Sequence, residues 1–110
     1  MPECIIRINA EIENEGGRVW SLENAIARVF TPSMERIRTP KTDKALEVGT
    51  QIINTKQSLK IGETSSIGFN IGLKQEVKSP FYIIKVAITI SEEGDQWIRV
   101  AESSIKSNGC

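Results

Sequence analysis

Polar and apolar residues alternate with a period of two along most of this chain. Cys4, Ile6, Ile8, Ala10 and Ile12 share one face, and Arg7, Asn9, Glu11 and Glu13 share the other. That spacing predicts a strand over 4–14 with one wet face, closed by the turn cluster Asn14-Glu15-Gly16-Gly17. The segment 45–54 repeats the pattern with Leu46, Val48, Thr50 and Ile52 on one side, and a short strand over 57–61 runs into the Gly62 turn. Over 64–73, Ile67, Phe69, Ile71 and Leu73 alternate with Ser66, Gly68, Asn70 and Gly72. The small-residue face is expected to be a plain solvent face, the alternative being a surface against which something packs closely. The strongest alternation covers 81–91, with Tyr82, Ile84, Val86, Ile88 and Ile90 pointing one way. Ser91-Glu92-Glu93-Gly94-Asp95 then reads as a hairpin-type connection. A return strand follows over 96–104, with Ile98 and Val100 opposed to Trp97, Arg99 and Ala101. From Ser103 onward the tail is polar and expected to fray.

One stretch carries two periods. Leu22, Ala25, Ile26, Val29 and Phe30 fall at helical spacing, with Ser21 as a possible cap and Thr31-Pro32 as a stop. The same residues also read as a short strand over 25–31, with apolar groups on both faces, as a central strand requires. Isoleucine dominates the apolar set and leucine is scarce, and β-branched side chains favour strands. The strands before and after decide for the extended form. Residues 31–44, with Pro32 and Pro40 and no clean period, are expected to be a long charged loop. That loop is the most basic stretch, carrying Arg36, Arg38, Lys41 and Lys44. It is expected to be solvated, the alternative being contact with phosphates or an acidic partner.

Seven short strands separated by turns predict an all-β chain, a seven-stranded antiparallel β-sandwich forming one domain over 1–110. The alternative is an α+β fold with a short helix near 21–30 lying on an antiparallel sheet. Three segments carry a family resemblance. Ile8-Asn9-Ala10-Glu11-Ile12-Glu13-Asn14-Glu15-Gly16-Gly17, Leu59-Lys60-Ile61-Gly62-Glu63-Thr64 and Phe81-Tyr82-Ile83-Ile84-Lys85-Val86 stand in that order. They resemble the opening strand and turn, the middle segment and the penultimate strand of CARDB-type and fibronectin-III-like modules. The resemblance implies an immunoglobulin-like sandwich, and in it Tyr82 is either a tyrosine-corner hydroxyl or an ordinary core aromatic. The chain lacks the Cys…Trp…Cys core of antibody domains.

Composition narrows the chemistry. Of the 110 residues, 14 are Lys or Arg and 14 are Asp or Glu, so the net charge is zero. The basic excess expected of a nucleic-acid binder is missing. There is no His, which removes histidine bases and ligands. Glu92, Glu93 and Asp95 around Gly94 offer too few oxygens for a Ca²⁺ loop, and the glycines lack phosphate-loop spacing. No enzyme and no cofactor is expected. Cys4 is expected to be a half-buried thiol and Cys110 a loose one, with pairing between molecules through Cys110 as the alternative. No apolar run reaches the ~20 residues of a membrane-spanning helix. The start carries no secretory signal, so a cytoplasmic protein is expected unless the chain is excised from a larger surface protein.

Binding is the expected class: a non-catalytic interaction or structural module that meets a protein partner, or itself, through a sheet edge and exposed loops. Trp20, Trp97, Arg36 and Arg38 are the interface candidates, each Trp having core-edge packing as its alternative role. The competing expectation, a small α+β ligand-binding protein or minor enzyme, requires the helix at 21–30.

Overall fold

A computed structural model of the chain describes residues 4–32, 46–74 and 80–106. The order is β1 (Ile5–Glu13), β2 (Trp20–Thr31), β3 (Leu46–Ile53), β4 (Gln57–Leu59), β5 (Thr64–Gly72), β6 (Phe81–Glu92) and β7 (Asp95–Lys106). All pairings are antiparallel. β1 and β5 form a two-stranded sheet; the other five strands form a larger one, in the order β3–β2–β6–β7 with β4 also on β2. The chain is therefore all-β, with no helix among the described residues. Residues 33–45, which hold nearly all of the charged loop, lie outside the described residues.

The stretch with two periods is extended throughout, and the α+β alternative falls with the helix it needed. β2 begins at Trp20, five residues earlier than the sequence spacing suggests, and carries a bulge: Leu22 faces Ile90 but Asn24 faces Thr89, leaving Glu23 as an extra residue. Leu22 and Ala25 therefore both point inward although three positions apart, followed by Ala27, Val29 and Thr31. A bulge shifts the phase of a strand by one residue, and here it writes an i, i+3 step that imitates a helix.

The two layers meet through alternating faces. Ile67, Phe69, Ile71 and Leu73 from the small sheet pack against Leu22, Ala25, Ala27 and Val29 of β2 and the inward residues of β6, Tyr82 among them. Ser66, Gly68, Asn70 and Gly72 are exposed, the solvent face expected of them. The sheets approach most closely at β3 and β5. A second bulge lets Val29 face Gly49 and Phe30 face Glu47, which turns Val48 into the core at 1% exposure. A Cβ on Gly49 would lie 2.6 Å from Cγ2 of Ile71, so hydrogen is the only side chain this crossing accepts.

β3 and β4 run the same way along the same side of β2, interrupted near Lys56, whose φ is +43°. Seven strands thus make six passes, and Cys4 and the last residues of β7 reach the same end of the sandwich. Cys4 is half-buried as expected, but it is disulfide-bonded rather than a free thiol. Cys110 lies outside the described residues. The strand order is also particular. In the immunoglobulin arrangement the second strand pairs with the fifth; here β2 sits between β3 and β6, and β5 pairs with β1 alone.

Candidate functional site

The site begins with a turn. Glu93 and Gly94 both have positive φ, +44° and +89°, and Glu92 faces Asp95 across them. This is the two-residue hairpin turn whose twist matches that of the flanking strands. Residues flanking such a turn share both of their backbone hydrogen bonds, and alternate pairs do the same along an antiparallel ladder. Trp97, Arg99, Ala101 and Ser103 therefore spend their N–H and C=O groups on β6. The backbone groups of Gln96, Ile98, Val100, Glu102 and Ser104 point outward, where no strand pairs with β7 among the described residues. β7 contains no Pro, its register against β6 runs unbroken from Lys106 to Asp95, and it is exposed along nearly its whole length. Edges of this kind are usually blunted by bulges, Pro or short length.

The side chains add a pattern that only the register reveals. On the outer face of the large sheet, Ile52 faces Ile26, Ile26 faces Ala87 and Ala87 faces Val100. The result is an apolar row crossing β3, β2, β6 and β7. Its two ends are open, Ile52 at 62% and Val100 at 68% exposure, and Ile98 beside it is 60% exposed. The next row is charged: Arg28 faces Lys85 and Lys85 faces Glu102. Arg28 pairs with Glu47 at 3.7 Å and Lys85 with Glu102 at 3.7 Å, while the Lys85 ammonium also stands 5.5 Å from the Phe30 ring.

On the inner side the small sheet does not reach over β7. An open cleft of about 610 Å³ separates β1 from β7, with Ile8 and Ala10 on one wall, Ala101 and Ser103 on the other, and Ile84 and Val86 of β6 between them. Its charged lining includes Arg7, Arg99, Glu11 and Glu13. The edge of β1 that faces away from β5 also has no strand partner among the described residues.

The candidates from the sequence fall in different places. Trp20 is 4% exposed; its Nε1–H donates to Glu92 at 2.9 Å, and it belongs to the core rather than to a surface. Trp97 is half-buried, edge-on to Trp20 with ring centroids 5.5 Å apart, and the Arg99 guanidinium lies 5.7 Å from the Trp20 ring. Trp97 thus lies on the inner face of β7, packed on Trp20. Arg36 and Arg38 lie outside the described residues. The acids of the hairpin turn have structural partners, Glu92 in Trp20 and Glu93 in Arg18. Glu23, on the β2 bulge, accepts from the Ser91 hydroxyl. That bond first, and the Ser21 hydroxyl second, hold its carboxyl below the ordinary glutamate range, with the Lys56 charge adding to them. Tyr82 is buried in the core.

The sequence singled out Trp and Arg for their residue type and did not join Ile52, Ile26, Ala87 and Val100 into a row. Each stands on the wet phase of its own strand, and nothing local joins them. Among the described residues no helix is long and apolar enough to cross a membrane. No protein-family model matches the chain, and no curated protein matches it.

Proposed function

We propose that this chain is a non-catalytic interaction module that binds protein partners by strand addition at the open edge of its larger sheet. The observation that carries the reading is β7: a strand of 12 residues whose alternate backbone groups face outward with no partner strand among the described residues. An added strand gains main-chain hydrogen bonds from such an edge, and alternate side-chain positions give it selectivity. The apolar row and Ile98 lie on one face of the edge, and the cleft between β1 and β7 lies on the other. A peptide paired to β7 meets apolar side chains with both of its faces. The two antiparallel layers are in keeping with the resemblance to CARDB-type and fibronectin-III-like modules, which bears on fold rather than on function. Glu92, Glu93 and Glu23 have structural partners, which supports a scaffold over a reaction centre.

Selection of extended peptides from a displayed random library against the full chain tests the reading. Val100→Pro removes one outward N–H while leaving the ladder to β6 intact, because a Pro is tolerated where the N–H faces solvent. Selected peptides should lose at least ~10-fold in affinity for this variant, since several main-chain bonds depend on the local register. A library that yields no binders, or binders indifferent to Val100→Pro, refutes the edge reading.

A further inference from the structure

We infer that the strand added to β7 is the β7 of a second copy of this chain, the two edges pairing antiparallel about a two-fold axis at Val100. The inference rests on the strand-addition reading above and names its partner. A symmetric antiparallel pair keeps the two outer faces on one side, so an outward-facing residue must stand opposite another outward-facing residue, and the axis must pass through a residue position rather than between two. Few centres remain, and charge separates them. A centre at Arg99 sets Arg99 against itself, and a centre at Glu102 sets Glu102 against itself; like charges directly opposite oppose pairing. A centre at Ala101 sets the exposed Val100 opposite Glu102, which ends the apolar row instead of continuing it. A centre at Ile98 leaves the second half of β7 unpaired.

The centre at Val100 has none of these faults. Val100 meets Val100, Ile98 meets Glu102 and Gln96 meets Ser104. These are the residues whose N–H and C=O groups point outward, so each pair closes two main-chain bonds. On the inner face Arg99 meets Ala101 and Trp97 meets Ser103, so no like charges stand directly opposite; the two Arg99 side chains are diagonal neighbours. The apolar row that ends at Val100 then continues into the same row of the second copy, and the 68% exposed Val100 is covered by its counterpart. Pairing by one edge buries less area than most stable dimers need. Association is therefore concentration-dependent rather than permanent.

Sedimentation equilibrium of the full chain over a wide concentration range tests this. The mass should rise from 12.2 kDa toward twice that value at high concentration. Val100→Lys sets two ammonium groups opposite each other at the axis and should move the association midpoint at least ~10-fold higher. Val100→Pro should do the same, and unchanged far-UV circular dichroism keeps both variants interpretable. Register is read by cross-linking. In a hydrogen-bonded pair the Cα atoms are ~5.5 Å apart, within disulfide reach, so Val100→Cys should form a covalent dimer on oxidation. Gln96→Cys, whose counterpart is eight residues away along the pair, should not. A chain that stays monomeric at every concentration overturns the inference, as does a dimer indifferent to both Val100 variants. If such a monomer still captures library peptides in a Val100-dependent way, strand addition stands and only the self-pairing fails. If capture is also absent, both fail.

Discussion

Gly49→Ala adds a single methyl group at the closest crossing of the two layers. Its Cβ would sit 2.6 Å from Cγ2 of Ile71, 3.0 Å from Cδ2 of Leu73 and 3.2 Å from the carbonyl oxygen of Gly72. The first contact is with a β-branched side chain only 1% exposed, and the third is backbone, so neither yields by a simple rotation. Overpacking of this kind costs about 1–3 kcal/mol, against a gain of about 0.4–1 kcal/mol from a stiffer unfolded chain. The net expectation is a loss of roughly 1–2 kcal/mol, or a fall in Tm of about 4–8 °C at ~4 °C per kcal/mol for a domain of this size. Gly68→Ala is the control. It lies on the exposed face of β5 with nothing within 4 Å of its Cβ, and should be neutral or slightly stabilising. Scanning calorimetry of both variants reads the difference. Ile71→Leu removes the clashing Cγ2, so it should cost less in the Gly49→Ala background than in the parent. A Gly49→Ala protein as stable as Gly68→Ala would refute the close β3–β5 crossing and the sandwich built around it.

Two further expectations concern polar groups. The Asn14 side chain is fully buried and donates to the carbonyls of Arg18 at 2.8 Å and Leu59 at 2.9 Å, while its Oδ1 accepts from Gly16 N–H at 2.9 Å. Asn14→Ala leaves these partners dry and should cost about 2–3 kcal/mol by urea titration; Asn14→Asp, whose carboxylate would face two carbonyls, should be less stable at pH 7 than at pH 4. The Glu23 carboxyl is held below its ordinary value of 4.5, chiefly by Ser91, so the folded state favours its ionised form. The stability it contributes is present above pH 4.5 and lost as pH falls through the lower folded value. The parent should therefore lose more stability between pH 6 and pH 3 than Glu23→Gln does; equal slopes for the two would contradict the bulge contacts.

Much of the fold was legible because one face of each strand is wet. β1, β5 and β6 follow the alternation closely, since their inward residues line a single core; β3 does not, because its bulge turns Val48 inward while Leu46, Thr50 and Ile52, expected on the same face, stay exposed. β2 was harder for a definite reason: the extra residue at Glu23 breaks the period, so Leu22 and Ala25 fall at helical spacing while both point inward. The ends of β7 were underestimated because pairing with β6, not local pattern, keeps Ser103 to Lys106 extended. The passes of the chain were legible only in part, since nothing local says that β3 and β4 lie along one side of β2. The candidate site was the least legible. The opposition of Ile98 and Val100 to Trp97 announces an exposed apolar face on one side of the last strand. Which side it is depends on how far the small sheet reaches. The joining of Val100 to Ala87, Ile26 and Ile52 depends on three registers, each set by turns and bulges elsewhere.

The open edge itself is read most directly by amide hydrogen exchange, followed residue by residue by NMR in dilute solution. The amides of Trp97, Arg99 and Ala101, bonded to β6, should exchange slowly, while those of Ile98, Val100 and Glu102 should exchange fast and become protected only when a partner strand is present. Uniform protection along β7 in the dilute monomer would mean that another segment already covers the edge, and the account of this chain as a strand-accepting module would be wrong.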